Sequence, residues 1–86
     1  MDRDPALVAS VHFDRYQANT GRRVSTGLTY NVAINGMGGT VICGLPHSWA
    51  TRAALHLNAC ETVDAQRVEL ARIREALADY ELEAAA

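Results

Sequence analysis

Val24-Ser25-Thr26-Gly27-Leu28-Thr29-Tyr30-Asn31-Val32-Ala33-Ile34 alternates large and small or polar side chains along its length, and Asn35-Gly36 follows it. Side chains along a strand point to opposite faces with a period of two, so Val24, Thr26, Leu28, Tyr30, Val32 and Ile34 share one face, expected to be buried. Asn-Gly is the strongest short signal for a hairpin corner, and Met37-Gly38-Gly39 lengthens that corner. Thr40 to Leu45 then returns as a strand until Pro46, which cannot continue a sheet ladder. Upstream, Leu7, Ala9, Val11 and Phe13 alternate with Val8, Ser10, His12, Asp14 and Tyr16, and Gln17 to Arg22 has the Asn and Gly content of a turn. The first half therefore reads as a three-stranded antiparallel meander over about 6–17, 23–35 and 40–45.

Beyond Pro46 the pattern changes. Ser48 is a candidate N-cap for a short helix over about 48–60, although Leu55, Leu57 and Ala59 also alternate as a strand would. From Thr62, a second candidate cap, Val63, Gln66, Leu70, Ile73, Leu77, Tyr80 and Ala84 recur at heptad spacing, which predicts an amphipathic helix over about 63–83. The apolar stripe Val63, Leu70, Ile73, Leu77 and Tyr80 is expected to cover the chain's own sheet, with a homodimer seam as an addition. The pairs Asp64/Arg67, Glu69/Arg72 and Arg72/Glu75 lie three apart, where opposite charges on a helix attract. The predicted class is α+β, a single small domain.

Composition bounds the rest. The chain has 86 residues, 49% hydrophobic and 21% charged, a balance ordinary for a globular protein and one core in size. Its first five residues carry acids where an export signal needs basic ones, and no apolar run is long enough to span a membrane, so a cytoplasmic protein with reduced Cys43 and Cys60 is expected. All eight basic residues are arginine, and the net charge of −2 divides into +2 over residues 1–60 and −4 over residues 61–86. A mildly basic front and an acidic tail bear on the choice of partner.

Four constellations could carry chemistry. Cys43, His47, His56 and Cys60 are spaced C-x3-H-x8-H-x3-C, but structural zinc sites usually open with a close cysteine pair, and Cys43 reads as a small core residue. Ser10, His12 and Asp14 spell a triad on one strand face, yet side chains two apart leave a strand about 6.6 Å from each other and lack an oxyanion turn. Gly36-Met37-Gly38-Gly39-Thr40 has the glycines of a phosphate loop but joins two strands and contains no basic residue. Arg15, Tyr16, Arg22 and Arg23 gather on the first hairpin, where arginine can meet phosphates or carboxylates and tyrosine can stack. Trp49, the single tryptophan, is expected to close the core.

No enzyme, cofactor or bound metal is expected from these residues. In size and in its meander-then-helices layout the chain resembles the small inhibitor proteins carried by phages and mobile elements, such as anti-CRISPR proteins; that resemblance implies a non-enzymatic inhibitor of a larger protein. The expected partner is therefore another protein, met by Arg15, Tyr16, Arg22 and Arg23 on the hairpin and by Asp79, Glu81 and Glu83 on the last helix. The alternative is a nucleic-acid-binding module using the same arginines, whose affinity would fall steeply with salt.

Overall fold

A computed structural model of the chain describes residues 4–17 and 27–85. Three antiparallel strands, β1 (Ala9–Gln17), β2 (Gly27–Ile34) and β3 (Gly39–Leu45), form a sheet in the order β1-β2-β3. Two helices follow, α1 (His47–Asn58) and α2 (Val63–Ala85). This is the expected α+β meander. Residues 23–26 of the predicted second strand, and the first turn with Arg22 and Arg23, lie outside the described residues.

The ends of the elements follow local chemistry. Pro5–Leu7 forms a 3-10 turn, so Ala6 and Leu7, expected to begin the first strand, precede it, because Pro5 has the φ of a helix start and the Asp4 carboxylate accepts from the Ala6 amide at 3.0 Å. The Asn35–Met37 corner is a second 3-10 turn. It docks on the first through Asn35, whose Nδ2 donates to the Pro5 carbonyl and whose amide donates to that of Val8. A Cβ added at Gly36 would lie 2.7 Å from the Ala6 carbonyl oxygen and 2.9 Å from its Cβ. Gly36→Ala is therefore expected to force the two turns apart and to cost about 1–3 kcal/mol, measured by urea unfolding.

Helix α1 begins one residue before Ser48, with Pro46 as its cap and no side-chain hydrogen bond, so the serine is not the N-cap. Pro46 is held extended (φ −58°, ψ 153°), and its carbonyl already accepts from Ala50. The 3–4 spacing of Ala50, Ala53, Ala54 and Leu57, all buried, decides for helix over strand in this segment. Thr62 caps α2 as expected, its hydroxyl accepting from the Ala65 amide at 3.1 Å.

The core lies between one face of the sheet and the helices. Ala9, Val32, Ile34, Ile42 and Leu45 from the strands meet Ala50, Ala53, Ala54 and Leu57 of α1 and Leu70 of α2. Ile73, Leu77 and Trp49 pack at the margin, and Trp49 and Tyr80 touch with ring centroids 5.3 Å apart. The heptad stripe thus covers its own domain through its middle, while Val63 and Tyr80 at its ends stay exposed. Of the three expected charge pairs on α2, Glu69–Arg72 closes, at 3.7 Å.

Three irregularities set which side chains face out. Tyr30 pairs with Phe13 and Thr29 with Arg15, so Asp14 is an extra residue in β1. In β3 the register shifts twice. Ile42 and Leu45 both point inward although three residues apart, and the intervening Gly44 has φ +72°, a backbone that glycine tolerates. Cys43, next to inward Ile42, faces outward, so it is exposed rather than a core residue.

Candidate binding surface at the open end of the sheet

Cross-strand partners share a face, so the pairs Ala9–Ile34, Val11–Val32 and Phe13–Tyr30 run along the side that the helices cover. The cover is too short. Helix α1 has 12 residues, about 18 Å, whereas the nine-residue β1 extends about 30 Å. Its first residue stands level with Tyr30, the His47 and Tyr30 rings meeting edge to face with centroids 4.9 Å apart. On the other flank the Phe13 ring meets Tyr30 the same way, at 5.7 Å. Past this aromatic row no helix covers the sheet among the described residues, and Phe13 is 58% and Leu28 55% exposed.

Large apolar side chains grouped on one uncovered face are what partner surfaces present. Arg15 stands on the opposite face of this end of the sheet, because it pairs with Thr29, whose neighbours Leu28 and Tyr30 face the helix side. Its side chain is 72% exposed, and its Nε lies 3.4 Å from the carboxylate of Asp14, the bulged residue. Below it Thr29, 0% exposed, donates to the Arg15 carbonyl at 3.0 Å and to Asp14 at 3.4 Å, which pins the bulge in place. The arginine therefore projects from a fixed backbone.

Of the expected partner-binding residues, Arg15 is exposed on the sheet face away from Phe13 and Leu28, and Asp79 is exposed far along α2. The side chains of Tyr16, Glu81 and Glu83 and all of Arg22 and Arg23 lie outside the described residues. Sequence reasoning missed Phe13, Leu28 and His47, because alternation assigned Phe13 and Leu28 to a buried face. The signal that could have found them is the mismatch in length between strands and covering helix.

The other constellations are resolved by position. Ser10 and His12 do meet, Oγ to Nε2 at 2.8 Å, since an imidazole leans far enough along the strand to close a gap that parallel side chains would leave open. Asp14 is not part of that pair; the bulge commits it to Thr29 and Arg15. The dyad is exposed, on the face away from the helices. Cys43, His47, His56 and Cys60 are not gathered, and among the described residues no three His, Cys, Asp or Glu side chains share a metal-sized site. The Cys60 thiol donates to the His56 carbonyl at 3.4 Å, one turn back. His56 instead reaches across to α2, its Nδ1 3.5 Å from Glu69, which also holds Arg72. No helix is long and apolar enough to cross a membrane, among the described residues.

The chain matches no protein-family model, no curated protein and no solved structure.

Proposed function

We propose that the chain is a non-enzymatic protein-binding module that engages its partner through the uncovered end of the sheet, with Phe13 and Leu28 as apolar anchors. The observation that carries this reading is the exposure of those two side chains on the face that elsewhere forms the core. Leaving them in water forgoes about 1.5–3 kcal/mol of burial for each, which a partner would recover. The first hairpin continues from this surface, so Tyr16, Arg22 and Arg23 extend it in sequence. An inhibitor of a larger protein, of the kind the chain resembles in size and layout, is one form of this function. A rigid surface presented by a small domain suits that role.

The test is a double substitution, Phe13→Ser/Leu28→Ser. Because both side chains are exposed, the unfolding free energy is expected to stay within about 0.5 kcal/mol of the parent. The immobilised parent should retain a discrete protein from the cells that make it, and the variant should lose it, each anchor being worth about 2 kcal/mol if it is a hot spot. Equal retention by both forms would remove the surface from consideration. Retention of nucleic acid, released as salt rises, would favour the alternative in which the arginines meet phosphates. A doubled mass for the parent alone would make the partner a second copy.

A further inference from the structure

The glycine corner between β2 and β3 lacks a basic residue in sequence, and that absence weighs against phosphate binding there. The fold supplies two. Arg67 and Arg74 of α2 stand seven residues apart, two turns along one side of the helix and about 10.5 Å along its axis. With Gly36, Met37, Thr40 and Leu70 they line a hollow of about 420 Å³ against that corner.

Several observations separate this hollow from a pair of ordinary surface arginines. Among the described residues no carboxylate lines it, although residues 61–86 carry a net charge of −4. Neither guanidinium is ion-paired among the described residues, whereas Arg15 and Arg72 each face a carboxylate. Arg74 is also held in place, its Nη2 donating to the Val41 carbonyl at 2.9 Å, which leaves its remaining donors available. Between the two cations sits Leu70, a core residue, with half-buried Met37 opposite it and the exposed Thr40 hydroxyl at the edge. The groove between α1 and α2, with Trp49, Arg52, His56 and Arg72, is the weaker candidate, because the Glu69 carboxylate lines it and already meets His56 and Arg72.

Guanidinium groups match phosphate oxygens with paired, charge-assisted hydrogen bonds, and an apolar floor between them suits a ring. The volume falls in the range of small-molecule sites. A polymer is disfavoured by the net negative charge and by the acids elsewhere on α2. We propose that this hollow binds a phosphorylated small molecule of mononucleotide size, its phosphate held by Arg67 and Arg74 and its ring laid on Met37 and Leu70. The site lies at the end of β2 opposite Phe13 and Leu28, so it does not depend on the protein-binding surface.

The experiment is a calorimetric titration of the purified chain, at low salt, with inorganic phosphate, AMP and a single-stranded oligonucleotide. AMP is expected to bind saturably and more tightly than phosphate, since phosphate makes no use of the floor. Arg67→Gln, which removes no hydrogen bond among the described residues, should weaken AMP about tenfold with the unfolding midpoint unchanged, as expected for losing a charge-assisted contact. Absence of saturable AMP binding overturns the proposal. So does an unchanged affinity in Arg67→Gln. An oligonucleotide that binds more tightly than AMP, and whose affinity falls by several phosphate equivalents with salt, would also overturn it by giving the arginines to a nucleic-acid backbone.

Discussion

Gln66→Ala is expected to lower the unfolding free energy by about 3 kcal/mol, equivalent to a drop in melting temperature of roughly 12 °C or more for a domain of this size. Gln66 is the first inward residue of α2 and is 0% exposed. Its Nε2 donates to the Leu7 carbonyl at 2.7 Å and to the Leu57 carbonyl at 3.3 Å. One amide thus joins three segments distant in sequence: the N-terminal turn, the end of α1 and the start of α2. Truncation opens a cavity and withdraws a donor from two carbonyls at once. Gln66→Met separates these terms. It keeps most of the volume and also removes Oε1, which is buried without a hydrogen-bond partner, so its cost should be about 1–2 kcal/mol. Thermal and urea unfolding followed by circular dichroism read both. A Gln66→Ala protein as stable as the parent would mean that the helix is held by Leu70 and Ile73 alone.

Period-two alternation made the meander legible, and heptad spacing with Thr62 made α2 legible, because in those segments local preference and tertiary packing agree. Bulges are where that reading stopped. One inserted residue reverses every side chain beyond it, and nothing in the type of Asp14 announces an insertion. Thr29 was expected outward and is buried beneath the Asp14 bulge, while Cys43, expected inside because its strand is apolar, lies outside beside inward Ile42. Phe13 and Leu28 show a different limit. Their facing follows the alternation, but exposure depends on how far α1 reaches, a question of element lengths rather than of pattern. The hollow at Arg67 and Arg74 was beyond any local reading, since its cations lie about thirty residues from the corner they approach. Ser10 and His12 were judged by backbone spacing alone, and the imidazole closed the distance.

Asn58→Ala should cost about 2 kcal/mol and also change the association state. A three-stranded sheet has two free edges, and an edge strand offers unpaired amides and carbonyls to any other chain. At the outer edge of β1, Asn58 from the end of α1 meets both groups of Ala9: its Oδ1 accepts from the Ala9 amide and its Nδ2 donates to the Ala9 carbonyl, each at 2.9 Å. The side-chain amide reproduces the peptide of a neighbouring strand and ends the ladder there. Arg74 acts similarly on the Val41 carbonyl of β3. With alanine at 58, both partly buried groups of Ala9 lose a partner and the edge from Ala9 onward is open. Sedimentation velocity should then show mass increasing with concentration, an increase absent from the parent. Asn58→Asp is the sharper control, because it keeps the size and the acceptor but sets a carboxylate oxygen against the Ala9 carbonyl oxygen. Its loss at neutral pH should match or exceed that of alanine. Part of it should return in acid, where the protonated carboxyl can donate, so stability favoured by the proton is present at low pH and lost as pH rises. If both variants unfold like the parent and stay monodisperse, the edge is protected by something other than this amide.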